Sequence, residues 1–312
     1  MPSPLRTRSE LAPLVAMLVM TAAWGSTFFL IKDLLVRLPV VDMLALRFGV
    51  GSLALVLLAG RRLRMSRSTL RSGVLLGLLY GVAQILQTVG LASTAASVSG
   101  FITGLYVVAT PLLAALLLGA RVSGTTWAAT SLATVGLGVL SLNGFAIGTG
   151  ELLTLLSALV YAGHILAMGR LSKPGEALPL SLVQMVVITA LCTVAALWPG
   201  SGGPGLQLPA STADWLAVLY LAVVAGTLAM VLQTWAQARV EATRAAVVMA
   251  MEPVWAAAFA VTLGEDRLTL RVVAGGLAIL AAMYLVELAP RRRSRAGVVG
   301  LPAPVDVGRE AP

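Results

Sequence analysis

Apolar residues run along this chain in blocks of about twenty, divided by short segments that carry proline, glycine or charge. Residues 72–120, 122–150, 177–213 and 215–238 contain no Asp, Glu, Lys or Arg. A helix at a water-facing surface keeps a polar face, and these stretches supply none. About 20 apolar residues is also the length a helix needs to cross the hydrocarbon of a bilayer. The pattern therefore predicts ten transmembrane helices, near 11–31, 40–59, 73–92, 97–118, 125–144, 151–169, 179–198, 215–236, 244–263 and 270–288. The separators include Leu38-Pro39, Gly60-Arg61-Arg62, Ala120-Arg121, Lys173-Pro174-Gly175 and Gly264-Glu265-Asp266. Ala92 to Ala96 is the weakest of them. Arg6 and Arg8 before the first block resemble the start of a signal peptide, but the run from Leu11 to Ile31 is too long for a signal core of about 7–15 residues. It reads as a retained first helix.

Polar residues inside the blocks are few and fall at helical spacing. Tyr80, Gln84 and Gln87 share one face of the third helix, Thr103, Tyr106 and Thr110 one face of the fourth, and Ser157, Tyr161 and His164 one face of the sixth. Polar side chains at membrane depth face a bundle interior or a wet cavity, so three such stripes predict a central polar cavity. Gly73, Gly77 and Gly81, at four-residue spacing, predict close approach of another helix.

Composition agrees with a membrane protein: 58% of the 312 residues are hydrophobic and 11% charged, with a mean hydropathy of +0.93. The net charge of +9 needs its own reading. With the N-terminus cytoplasmic, the inner segments hold Arg6, Arg8, the five arginines of 61–71, Arg121, Arg170, Lys173, Arg239, Arg244, Arg291, Arg292, Arg293, Arg295 and Arg309. The outer loops hold only Lys32, Arg37, Arg267 and Arg271. That bias is the positive-inside rule, and it places both termini in the cytoplasm and the protein in the cytoplasmic membrane. Trp198 and Trp215 flank an outer loop and Trp127 sits near the inner face, as interfacial aromatics do. The basic excess is topological and gives no support for nucleic-acid binding. A single Cys and a single His exclude an intrachain disulfide and clustered Cys or His metal sites, and no phosphate-binding loop is present, so no cofactor is expected.

Weak internal matches keep one order along the chain. Leu86-Gln87-Thr88 recurs as Leu232-Gln233-Thr234, Gly119-Ala120 falls on Gly264-Glu265, and Trp24-Gly25-Ser26 falls on Tyr161-Ala162-Gly163. Two halves of five helices each would insert with opposite orientation, an architecture of transporters with a midplane site between the repeats.

With these residues the chain resembles the EamA type of the drug/metabolite transporter superfamily. The resemblance is carried by Ala23-Trp24-Gly25-Ser26-Thr27-Phe28-Phe29, Ala45-Leu46-Arg47-Phe48, Ala242-Thr243-Arg244-Ala245-Ala246, Met251-Glu252-Pro253-Val254 and Leu263-Gly264-Glu265. The chain departs from the family pattern at Gly119-Ala120, where Gly-Glu is usual, and at Pro111, one turn later than the position matching Pro253. The resemblance implies two five-helix repeats and solute transport, commonly export of amino acids, nucleosides or other metabolites. The expected organisation is a cytoplasmic tail over 1–10, repeats over 11–145 and 146–289, and a basic, disordered cytoplasmic tail over 290–312.

Charges in the apolar blocks single out the candidate chemistry. Arg47 is either a counter-charge for an anionic solute or a carboxylate, or a packing residue that pairs with a neighbouring helix or with Asp42. Glu252, before the helix-breaking Pro253, either exchanges a proton during turnover or binds helix ends locally. His164 is either a proton shuttle or a hydrogen-bonded packing residue. Tyr80, Gln84, Gln87, Tyr106, Tyr161 and Gln233 are candidate solute contacts, and Trp24 and Trp235 candidate stacking surfaces. The first helix holds no carboxylate between Leu11 and Ile31, so coupling cannot run through one there.

The sequence thus predicts a secondary transporter, an exporter of a small polar or amphipathic metabolite working by alternating access, with proton coupling as an option. The alternative is a membrane-embedded enzyme acting on a lipid-linked substrate, which the scattered carboxylates and lone His disfavour. The expected partners are a small-molecule solute and the lipid bilayer, with a homodimer left open.

Overall fold

The computed structural model describes residues 8–60, 63–94, 96–141, 148–198, 206–262 and 269–288. The basic tail from Pro290, Arg61 and Arg62, and the Glu265–Arg267 segment lie outside the described residues. All regular structure among the described residues is helical. The helices are α1 (Arg8–Gly25), α2 (Thr27–Leu34), α3 (Val40–Ala59), α4 (Arg67–Ser93), α5 (Ala96–Gly104), α6 (Tyr106–Leu118) and α7 (Gly124–Ser141). They continue with α8 (Thr149–Leu171), α9 (Ala177–Leu197), α10 (Thr212–Ala222), α11 (Ala229–Gln237), α12 (Ala242–Met249), α13 (Glu252–Thr262) and α14 (Leu270–Leu288).

Six helical stretches are long and apolar enough to cross a bilayer: Leu11–Leu34, Val40–Ala59, Arg67–Ser93, Thr149–Leu171, Ala177–Leu197 and Thr212–Gln237. They coincide with the first, second, third, sixth, seventh and eighth predicted blocks. Ile102–Leu118 and Val273–Ala282 are apolar but shorter. Burial is distributed as lipid requires. Leu57, Leu58, Leu116 and Leu117 are each at least 70% exposed, while Gln184, His164, Ser157 and Thr110 are fully buried. Water would penalise that arrangement on both counts, whereas hydrocarbon rewards it. The protein is a multi-pass membrane protein.

Local sequence signals set several helix ends. The Ser66 hydroxyl accepts from the Thr69 N–H at 3.0 Å to open α4, and Ser211 accepts from Asp214 N–H at 3.1 Å to open α10. Gly119, with φ +61°, closes α6 in the left-handed conformation that a side chain would resist.

Packing is interleaved along the chain. α4 lies against α8 and α9, α3 against α9, α7 against α14, and α1 against α11 and α13. The glycine row of α4 is what lets α9 approach. A Cβ at Gly73 would stand 2.6 Å from Val183 Cβ, and one at Gly77 would stand 2.8 Å from Val187 Cβ.

Four of the apolar stretches are not regular α-helix throughout. α1 and α2 are separated at Ser26, α5 and α6 at Leu105, and α12 and α13 at Ala250 and Met251. Between α10 and α11 the backbone widens into a π turn over Val223–Leu228. Such interruptions leave backbone carbonyls without their usual helical partner, and at membrane depth those carbonyls need another donor.

Candidate functional site

The donors are supplied across the bundle. At the π turn, Arg47 Nε donates to Leu221 O at 3.2 Å and Arg47 Nη2 to Ala225 O at 3.4 Å. Trp24 Nε1 donates to the same Ala225 carbonyl at 3.0 Å. The Thr227 hydroxyl lies 2.8 Å from Gly51 O and 3.1 Å from Ala222 O, tying the turn to α3. At the α1–α2 break, the Ser26 hydroxyl donates to Ala23 O and meets the Tyr220 hydroxyl, while Thr27 donates to Trp24 O at 2.7 Å.

Arg47 is thus anchored by main-chain oxygens. Its side chain is 2% exposed, and no ion pair holds it among the described residues. Asp42, the nearby carboxylate considered as its partner, instead accepts from the Gln207 N–H at 3.0 Å. Backbone carbonyls satisfy guanidinium N–H groups but carry only partial charge, so the cation keeps most of its electrostatic reach. The Arg47 guanidinium carbon also sits 5.1 Å from the Phe48 ring centroid.

Residues flanking three of the interruptions border one cavity, with about 580 Å³ of empty space including its mouth, and α11 reaches it from beyond the fourth. Trp24, Thr27, Phe28 and Ile31 border it from the first break, Thr103 and Tyr106 from the second, Met249 and Glu252 from the third, and Gln233 from beyond the π turn. Arg47, Tyr80, Gln84, Gln87, Thr88, Leu91, Tyr161 and Ile165 complete the lining. Its apolar and aromatic walls with few polar groups are those of a small-molecule site.

The polar groups divide into committed and free. Gln87 donates to Thr103 Oγ1 at 3.0 Å and accepts from the Tyr161 hydroxyl at 3.0 Å. Gln84 donates to the Tyr80 hydroxyl at 3.1 Å. Tyr80 in turn packs edge-on between Phe48 and Tyr161, at centroid distances of 6.0 and 5.8 Å. Glu252, 7% exposed, opens α13 with Pro253 in the first turn, where the missing N–H costs nothing. The Tyr106 hydroxyl lies beside its carboxyl. Gln233 Oε1 is buried and has no hydrogen-bond partner among the described residues.

Nine of the eleven residues singled out in the sequence line this cavity: Trp24, Arg47, Tyr80, Gln84, Gln87, Tyr106, Tyr161, Gln233 and Glu252. His164 and Trp235 do not. His164 lies behind the wall, its Nε2 2.9 Å from Gln184 Oε1 and its ring 5.2 Å from that of Tyr80. Trp235 is covered by the Arg239 guanidinium at 4.4 Å, near the end of α11. Thr27, Phe28, Ile31, Thr88, Leu91, Ile165 and Met249 line the cavity without having been singled out as site candidates in the sequence. Thr27 and Phe28 adjoin Trp24-Gly25-Ser26 and that motif pointed at them, whereas Leu91, Ile165 and Met249 are apolar residues that nothing in the pattern distinguishes.

Where the chain leaves the apolar region, Arg37 bridges Asp33 at 2.6 Å and Asp214 at 2.7 Å. Hydrogen bonds from Asp33 first, then Asp214, hold the Arg37 guanidinium firmly charged, its pKa raised above the usual arginine value. Lys32 Nζ donates to the Thr94 carbonyl at the same end.

A polytopic helical protein with a polar cavity enclosed by interrupted helices has the build of a solute transporter. The comparison with known proteins agrees. The chain belongs to the EamA-like transporter family, whose model matches it twice, over residues 11–142 and 148–288. It is similar to an uncharacterized transporter of Archaeoglobus fulgidus, 29% identical over 267 residues that cover 85% of this chain and 82% of that protein. A protein of known crystal structure shares the fold with a TM-score of 0.73, at 19% identity, over 90% of this chain and 98% of its own.

Proposed function

We propose that this protein is a secondary active exporter of a small polar or amphipathic metabolite, working across the cytoplasmic membrane by alternating access. The observation that carries this reading is the cavity itself, in which Arg47 keeps its charge unpaired and Glu252 is the carboxylate among the lining residues. Arg47 would receive an anionic or electron-rich group of the solute. Glu252 would take up and release the coupling proton, with Tyr106 beside it. The aromatic rings of Trp24, Tyr80 and Tyr161 would cover the apolar part.

In this reading ten helices form two inverted five-helix repeats, with both termini cytoplasmic. The interleaved packing bears on how access alternates. The halves are not separate lobes, because α7–α14, α4–α9 and α3–α9 each join one half to the other. The cavity would open by bending at Ser26, Leu105, Ala250 and the π turn, with the long uninterrupted helices held in place.

The test is counterflow in proteoliposomes with a panel of labelled amino acids, nucleosides and organic acids. Exchange of at least one solute is expected. Arg47→Gln should lower exchange at least tenfold with the protein still folded. Glu252→Gln should keep exchange but abolish net transport driven by an imposed pH gradient. No exchange of any solute, exchange indifferent to Arg47→Gln, or pH-driven net transport indifferent to Glu252→Gln contradicts the proposal.

A further inference from the structure

Gln87 and Gln233 occupy identical Leu-Gln-Thr triplets, and their helical surroundings are alike. Each following threonine bonds back one turn at about the same length, Thr88 to Gln84 O at 2.7 Å and Thr234 to Met230 O at 2.8 Å. Both glutamines line the cavity. Yet Gln87 is held at both ends of its amide, by Thr103 and Tyr161, whereas Gln233, 1% exposed, has a buried Oε1 to which nothing among the described residues donates. A buried amide oxygen left without a donor is destabilising. The sequence retains it where a leucine of similar volume would carry no such cost. Other buried polar atoms are also unpaired, Gln237 Oε1 among them, but Gln233 belongs to a residue that lines the cavity, where an entering solute can supply the missing donor.

We infer that Gln233 is a specificity-determining residue, its unpaired side-chain carbonyl reading a hydrogen-bond donor on the solute. The solute class is one that presents an N–H or O–H group to α11 while its charged or electron-rich part faces Arg47. Gln87, by contrast, is a positioning residue, because its amide is spent on fixing Tyr161 and Thr103 against the cavity. Discrimination arises in the usual way for a buried unpaired acceptor. A solute with the donor satisfies Gln233, and one whose donor is methylated leaves it unpaired and crowds it.

The inference rests on the cavity being the solute site, and two measurements keep the two ideas apart. The first needs no solute. In detergent, Gln233→Leu is expected to leave the unfolding temperature unchanged or raise it, because no bond is lost, whereas Gln87→Leu lowers it. If Gln233→Leu lowers it as much as Gln87→Leu, Gln233 is structural and the inference fails. The second uses aryl-bearing hydroxy acids and amines, each paired with its O- or N-methylated counterpart, and reads thermal shift and counterflow on the full chain. Wild type should prefer the unmethylated member about tenfold or more, and Gln233→Leu should bring the ratio close to one. A ratio that Gln233→Leu does not change overturns the inference while leaving the transporter reading intact. No binding or exchange by any pair in wild type overturns both.

Discussion

Arg47 and Thr227 meet the same short piece of backbone from opposite chemistry, one a cation and one a hydroxyl. Arg47 donates to Leu221 O and Thr227 reaches Ala222 O, adjacent carbonyls where α10 passes into the π turn. Thr227 is the more sensitive probe of that turn, because its hydroxyl stands between Gly51 O on α3 and Ala222 O at the turn. Thr227→Val preserves shape and removes the hydroxyl, so it should cost about 1–2 kcal/mol in unfolding free energy, near the usual worth of one or two hydrogen bonds. Ser52→Ala, which loses only a bond to Phe48 O within its own helix, should cost less. Thermal unfolding of both variants in the same detergent checks the order. At this scale the sequence was informative wherever a polar residue stood against an apolar background: Arg47, Glu252, Gln84, Gln87 and Gln233 all reach the cavity. His164 follows the second of its two readings, a hydrogen-bonded packing residue. His164 shares the face of Tyr161 by spacing, but its ring turns to Gln184 on α9, a partner that periodicity within α8 does not reveal.

Helices are where the apolar pattern was most legible, since six blocks correspond to uninterrupted or nearly uninterrupted membrane-length stretches. The interruptions were not legible, apart from the one before Pro253. α1 ends at Gly25 before Ser26 and α5 at Gly104 before Leu105, but glycines also stand inside unbroken helices here, Gly73, Gly77 and Gly81 among them. Glycine lowers helix propensity without fixing where a helix ends, so the pattern alone did not separate broken helices from continuous ones. Helix contacts, by contrast, left a mark in glycine. Gly77→Ala would place a methyl 2.8 Å from Val187 Cβ and 3.0 Å from Gln184 Cα, and backbone on the far side cannot step away. It should cost about 1–3 kcal/mol. Gly163, inside α8 with nothing within 4 Å of its missing Cβ, is the control. Gly163→Ala should be neutral or stabilise by up to about 1 kcal/mol, as replacing a helical glycine does. Equal effects of the two alanines on the unfolding temperature would show that α4 and α9 are not held at glycine distance.

On the scale of the whole molecule, the duplicated sequence and the packing point to different units. The family model matches two successive segments, yet the main helix contacts run between those segments more than within either one. α4 buries its glycine row against α9, α7 pairs with α14, and α1 is clasped by α11 and α13. Each segment alone would therefore expose the faces that the other covers, including Arg47, whose two carbonyl acceptors lie on the later segment. A buried guanidinium deprived of its acceptors is costly in hydrocarbon, and glycine faces without a partner lose the packing that drives helix association in lipid. Residues 1–145 expressed alone should consequently fail to give a monodisperse protein in detergent, and so should residues 146–312. Co-expressed, the two should associate and elute together like the intact chain. Arg47→Gln in the first fragment should weaken that association without abolishing it, because the glycine contacts remain. Size-exclusion chromatography of tagged fragments reads all three outcomes. A stable, folded first fragment on its own would mean that the segments are independent bodies, and would return alternating access to a rocking of halves instead of a bending at the helix breaks.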